Sequence, residues 1–190
     1  TSNYNITYKS GTLTVTNASF TVSAPNQTYT YTGSAQGAAI TVSGLKGSQT
    51  ATIKYGTTSG TYDTTTIPKI TNANEDKIVY WQVTAPNHTT QAGFYKLLMS
   101  QRSVTVTAFS GSSVYDGNVI TFNRATLSGM VSGHTLNSFT CTGSITNVGS
   151  VDNIPSDAKI VDADLNDVTA NYAITYVNGL ITITQRPITF

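Results

Sequence analysis

The residues predict an all-β protein of two tandem units, and three observations carry that expectation. Apolar and polar residues alternate along much of the chain, which turns one face of a strand toward a core and the other toward water. Thr supplies 35 of the 190 residues and Ser 19, and Thr favours strands through its branched β-carbon. Unlike residues also recur at one constant spacing of 84: Asn3 as Asn87 and Asn171, Thr21 as Thr105 and Thr189, Tyr31 and Gly33 as Tyr115 and Gly117. A fixed period conditions every later inference from the sequence.

Taken in order, Tyr4, Ile6 and Tyr8 alternate with Asn5 and Thr7, and after Ser10-Gly11 the apolar residues Leu13 and Val15 alternate with Thr12, Thr14 and Thr16. This pattern predicts a hairpin over residues 1–16. Strands are expected at 51–55, 78–83 and 104–107, separated by turn clusters such as Thr58-Ser59-Gly60 and Asn72-Ala73-Asn74. A second hairpin is expected at the end. There Asn178-Gly179, suited to the positive φ angles of a type I′ turn, lies between Ile174 and Tyr176 on one arm and Ile181 and Ile183 on the other. No segment sustains a 3.6-residue period. The helical candidates are a turn or two near 156–159 and 164–167, where Pro155-Ser156 and aspartates could open a short helix.

The run Asn3-Tyr4-Asn5-Ile6-Thr7-Tyr8 aligns with Asn171-Tyr172-Ala173-Ile174-Thr175-Tyr176, and the match continues through Gly11 with Gly179, Thr14 with Thr182 and Thr16 with Thr184. The middle copy, from Asn87 to Tyr95, keeps little beyond its first residue. The expected organisation is therefore a closing hairpin at 1–16 belonging to a preceding or permuted unit, a first unit at 17–101, a second at 102–185, and the opening strand of a next unit at 186–190. Several short strands per unit fit an immunoglobulin-like β-sandwich, with a β-grasp-like unit carrying one short helix as the alternative.

Composition removes several functions. Charged residues make up only 10%, against ~25% in typical globular proteins, so the surface is neutral and hydroxyl-rich. The net charge is +1 and no run of Lys or Arg exists, which removes the electrostatic basis for binding nucleic acid or acidic lipid. No apolar stretch approaches ~18 residues, and Thr1-Ser2-Asn3-Tyr4 has neither the basic nor the apolar part of a signal peptide. A soluble segment of a longer array is expected. Cys141 is the single cysteine, which excludes an intramolecular disulfide and any zinc site with two or more thiolates.

Catalytic patterns are missing from the sequence. Gly-x-Ser-x-Gly is absent, and His88 and His134 stand alone in turn-like contexts as expected surface histidines. Gly44-Leu45-Lys46-Gly47 precedes a strand, so it is a turn and not a phosphate loop. Asp162, Asp164, Asn166 and Asp167 resemble the opening of a calcium loop, yet Asp167 stands where its glycine belongs and Ala173 where its glutamate belongs. Trp81, Tyr80 and Tyr95 could stack on a sugar, but the alternation of Trp81 with Val79 and Val83 marks it as core. Lys54, Lys77, Lys96 and Lys159 are the candidates for bonds to asparagine beside a buried acid, and no pair can be chosen among them. The sequons at Asn26 and Asn87 are expected by chance in so Thr-rich a chain. No catalytic, cofactor or metal residue is assigned.

The ending Asn-Tyr-x-Ile-Thr-Tyr-x-x-Gly-x-x-Thr-x-Thr resembles the close of the MBG-type and related immunoglobulin-like repeats of bacterial surface adhesins. The second unit carries more of the pattern in Val114-Tyr115-Asp116-Gly117, Leu127-Ser128-Gly129, Asn147-Val148-Gly149 and Asp167-Val168-Thr169. The first is similar mainly through Tyr31-Thr32-Gly33 and the run from Tyr80 to Asn87. The resemblance implies a secreted, wall-attached bacterial protein whose tandem domains hold a distal region away from the cell, with neighbouring repeat units as partners and no cofactor. The expected function is a non-catalytic spacer. The alternatives are a module gripping glycan or host protein through exposed aromatics such as Trp81, Tyr29, Tyr62 and Tyr115, or accessory domains of a large extracellular enzyme.

Overall fold

The structure is a computed structural model that describes residues 3–190. Residues 17–101 contribute β1 (Thr21–Ser23), β2 (Gln27–Thr30), β3 (Thr41–Ser43), β4 (Thr52–Gly56), β5 (Asp76–Thr84) and β6 (Gln91–Ser100). The following residues contribute β7 (Arg102–Ala108), β8 (Gly111–Val114), β9 (Ala125–Ser128), β10 (Thr135–Thr142), β11 (Gly149–Val161), β12 (Tyr172–Val177) and β13 (Gly179–Thr184). The chain is all-β, with two sheets in each repeat. The one helical element among the described residues is a 3-10 turn at Thr169–Asn171, so the β-grasp alternative with its helix does not apply. The proposed helix at 156–159 lies inside β11, where burial alternates at Asn153 and Pro155, slips by one residue at Asp157, whose φ is 53°, and alternates again at Ala158 and Ile160. The segment 164–167 is a turn leading to the 3-10 residues.

The 84-residue period is written into the backbone pairing. The sheet order β2-β6-β5-β4 matches β8-β13-β11-β10, and β1-β3 matches β7-β9 in the second sheet, which β12 extends. In both repeats the opening strand runs parallel to the closing strand, and each partner lies 70 residues after the residue it faces: Ala18 with His88, Gln27 with Leu97, Arg102 with Tyr172, Gly111 with Ile181. Smaller bonds repeat as well. Lys96 N–H donates to Asn26 Oδ1 and Leu180 N–H to Ser110 Oγ; the hydroxyls of Ser100 and Thr184 donate to the carbonyls of Tyr29 and Ser113; Tyr31 N–H reaches Ser100 O as Tyr115 N–H reaches Thr184 O.

This pairing corrects the expected hairpin at Asn178-Gly179. β12 and β13 do not pair with each other; they form one strand, bent at Asn178, that follows β7 and β8 from one sheet into the other. Neither Asn178 nor Gly179 has a positive φ. The buried residues shift phase where the strands change sheets, from Val104, Val106 and Ala108 to half-buried Gly111 and Ser113 along the opening strand, and from Tyr172 to Gly179, Ile181 and Ile183 along the closing one. Glycine is required at 179 because a Cβ there would lie 2.3 Å from the Phe109 carbonyl oxygen. The hairpin expected at 1–16 is likewise absent. Thr1 and Ser2 lie outside the described residues, and residues 4–16 form no strand and are exposed throughout.

By packing, the chain divides into two compact bodies. The first takes residues up to Pro25, Ala39–Pro68 and Val79–Tyr95; the second takes Asn26–Ala38, Lys69–Ile78 and Lys96–Phe190. The core of the first is built on Phe20, Ile40, Tyr55, Val79, Trp81, Val83 and Tyr95. That of the second is built on Val104, Val106, Ile160, Tyr172, Ile181 and Ile183, together with Tyr31, Ile70, Leu97 and Met99. Sequence period and packing thus draw different lines: the period marks equivalent strands, and the second body gathers segments from both repeats.

Candidate functional site

The histidines expected on the surface are structural. His88 is buried, its Nε2 accepts from Lys46 N–H at 3.1 Å, and its Nδ1 lies 2.8 Å from the Pro86 carbonyl. Both nitrogens are therefore used, which fixes the tautomer with the proton on Nδ1. His134 is half-buried and its Nδ1 is 2.7 Å from the Tyr172 hydroxyl, which also accepts from Val131 N–H at 3.2 Å. Tyr31 packs edge-on against Tyr172 at 5.5 Å and lies 6.1 Å from the His134 ring. Burial raises the pKa of both phenols above the ordinary tyrosine value; the neighbouring Tyr172 raises Tyr31 further. These contacts pin three segments of the second body together. Beside it, Asn171 Oδ1 accepts from Ala73 N–H at 2.7 Å.

The acidic segment is a self-closed loop. Asp162 Oδ1 accepts from the backbone N–H groups of Asp164 and Asn166 at 3.0 and 2.9 Å, and the Asn166 side chain donates to the same carboxylate. The Asn166 side chain first, and its backbone N–H next, hold Asp162 below the usual carboxylate range. Asp167 is held low by the Thr169 side chain and backbone N–H. These carboxylates are engaged in turn geometry.

Trp81 is buried, and the Gly93 Cα opposite it leaves room for the ring: a Cβ there would sit 2.6 Å from Trp81 Cζ2. Tyr95 is buried and Tyr80 half-buried. Of the other aromatics in the expected binding patch, Tyr29 and Tyr62 are half-buried and Tyr115 is exposed. Lys54, Lys96 and Lys159 are exposed; Lys77 donates to the Lys69 carbonyl at 2.5 Å and lies 3.7 Å from Glu75. Cys141 is half-buried, and burial raises its thiol pKa. Among the described residues, no group of three or more His, Cys, Asp or Glu side chains is placed to hold a metal ion. No helix among them is long and apolar enough to cross a membrane.

Two features went unseen in the sequence because each joins distant segments. Asn153, fully buried in β11 opposite Gly179, donates from Nδ2 to the carbonyls of Phe109 and Phe122, both at 3.0 Å. It holds the place where the opening strand changes sheets. An open groove of about 320 Å³ lies along the same strand, lined by Thr107, Phe109, Ser110, Arg124 and Thr126, with the Arg124 guanidinium 4.4 Å above the Phe109 ring centroid. That stack is a cation–π contact.

No family model matches the chain, and no curated protein matches it. Among solved structures, it is similar to the fibronectin(III)-like modules of Clostridium thermocellum CbhA, with 13% identity over 87% of this chain and 94% of that one and a TM-score of 0.27. It is also similar to the Bacteroides ovatus mixed-linkage glucan utilization locus protein SGBP-B, in complex with a mixed-linkage heptasaccharide, with 14% identity over 84% of this chain and 43% of that one and a TM-score of 0.26. At those scores the architecture rests on the strand pairing of this chain alone.

Proposed function

We propose that this chain is a non-catalytic, load-bearing spacer segment of an extracellular bacterial surface protein, built from tandem β-sandwich repeats of the MBG type. One observation carries the reading: in both repeats the opening and closing strands are parallel neighbours. Parallel strands begin at the same end. Tension applied through the start of the first and the finish of the last therefore pulls them in opposite directions, and their hydrogen bonds are sheared together instead of peeled one by one. β6 ends at Ser100 and β7 begins at Arg102, so one residue passes the load from one repeat to the next. A hydroxyl-rich, weakly charged surface suits a stalk that has to stay unattached.

A second reading has its own observation, the Arg124–Phe109 groove, whose ring, guanidinium and threonine hydroxyls are the chemistry that meets a sugar. Binding separates the two. Titration of the chain with soluble β-glucans, xylans and host-type glycoproteins, followed by calorimetry and affinity electrophoresis, is expected to give no saturable interaction. Saturable binding lost in Phe109→Ala and Arg124→Ala would replace the spacer reading with the adhesion module.

A further inference from the structure

Residues 3–16 present a row of large apolar side chains to water, with Leu13 92% and Val15 88% exposed. What covers that row can be read from the second copy of the same sequence. Aligned with 171–184, eight of the fourteen residues are identical: Asn3, Tyr4, Ile6, Thr7, Tyr8, Gly11, Thr14 and Thr16. The structure shows which positions of 171–184 are buried: Asn171, Tyr172, Gly179, Ile181 and Ile183. The first three are identical in the earlier copy, and the last two become Leu13 and Val15. The remaining differences, Asn5 for Ala173, Lys9 for Val177, Ser10 for Asn178 and Thr12 for Leu180, all fall at exposed positions.

Gly11 supplies a second, independent observation. A Cβ at Gly179 would strike the backbone of Ala108 and Phe109, whereas a Cβ at Gly11 would meet nothing within 4 Å. Nothing around Gly11 in this structure requires glycine; the approach made at Gly179 does. The equivalent residue of the first repeat is Tyr95, so the slot that Gly11 fits is of the second repeat's kind.

We infer that residues 3–16 are the closing strand of a further repeat of the 102–184 kind, preceding residue 3 in the same polypeptide, docking as one bent strand parallel to that repeat's opening strand. Tyr4, Gly11, Leu13 and Val15 take the places of Tyr172, Gly179, Ile181 and Ile183. Both closing slots within this chain are filled, by β6 and by β12–β13. A second copy offers the same filled slots, so the receiver is an additional unit. The inference goes beyond the spacer reading: the strand can dock in this way whether or not the array bears load.

Two variants of the full chain test it. In the first, Ala173→Asn, Val177→Lys, Asn178→Ser, Leu180→Thr, Ile181→Leu and Ile183→Val together make 171–184 read as 3–16. The variant is expected to unfold cooperatively, with a melting temperature within about 5 °C of the parent; loss of the cooperative transition overturns the inference. In the second, a copy of residues 102–170 is joined directly to Asn3 of the whole chain. Amide exchange across residues 4–15 is expected to slow by about a hundredfold or more relative to the parent, and the slowing is expected to vanish when Leu13→Asp and Val15→Asp are added. Unchanged exchange in the fusion overturns the docking even if the first variant folds. Concentration-dependent dimerisation of the parent with protection of residues 4–15 would assign the slot to a second copy, and also overturns it.

Discussion

Asn153→Ala removes the side chain that holds the sheet crossing together, and its cost can be worked from the bonds it makes. Two carbonyls, of Phe109 and Phe122, each accept from Nδ2 at 3.0 Å in a residue with no solvent exposure. Losing a buried partner costs about 1–3 kcal/mol per orphaned group, while Asn153 Oδ1 has no hydrogen-bond partner and contributes nothing to be lost. The expected destabilisation is about 2–6 kcal/mol, measured as a fall in urea midpoint at constant slope. For a chain of this size it corresponds to a drop of about 4–24 °C in melting temperature. Asn153→Asp is the sharper test. It keeps the shape but replaces both donors with an oxygen facing two carbonyl oxygens, so burial raises its folded pKa above the unfolded value near 3.9. A group raised in this way favours the fold below its unfolded pKa and loses that contribution as pH rises through the folded pKa. The Asp variant should therefore match or exceed the Ala variant near pH 3 and fall below it at pH 7. A cost under about 1 kcal/mol for Asn153→Ala would refute the reasoning, since it would mean that the two carbonyls find other partners at no expense.

Other perturbations have equally definite outcomes. Gly179→Ala forces backbone apart at the bend and should cost at least the ~1–3 kcal/mol of an overpacked core, read by thermal unfolding. Tyr172→Phe deletes the hydroxyl shared by His134 and Val131 and should cost about 1–2 kcal/mol while leaving the circular dichroism spectrum unchanged. Glu75 accepts from the N–H groups of Thr71 and Asn72, and those bonds, chiefly the one from Thr71, hold its pKa below the ordinary value. Its contribution is present above the unfolded glutamate pKa of about 4.3 and is lost as pH falls through the lower folded value, so Glu75→Gln should lower stability at pH 7, leave stability well below about pH 4 little changed, and thereby flatten the acid limb of the stability–pH curve. Burial holds the Cys141 thiol protonated, so native protein should react with a disulfide reagent more slowly than the urea-unfolded chain.

Strand content, the core placement of Trp81 and the 84-residue step were all legible in the sequence because each is a local or periodic signal. Misread were the two ends of the repeat. At 171–184 the apolar residues slip phase between Tyr176 and Ile181 around an Asn-Gly pair, which in isolation means a turn. Here the slip is what a single strand needs when it leaves one sheet for another, and only the parallel partner seventy residues earlier reveals it. His88 looked exposed for a related reason: the Lys46 N–H that satisfies its ring lies 42 residues away. The Asn153 clamp and the Tyr31–His134–Tyr172 cluster likewise join residues with no pattern linking them along the chain.

Force applied along two different axes is the most direct test of the load-bearing claim. With Cys141→Ser as background, the chain is stretched once through its two ends and once through cysteines placed by Gln101→Cys and Ala170→Cys, at the shared starting end of the parallel pair, where the Gln101 side chain donates to the Ala170 carbonyl. The spacer account predicts a higher rupture force through the ends, where the parallel strands are sheared, with release of about 280–300 Å per 84-residue repeat at ~3.3–3.6 Å per extended residue. Equal rupture forces along the two axes would contradict it.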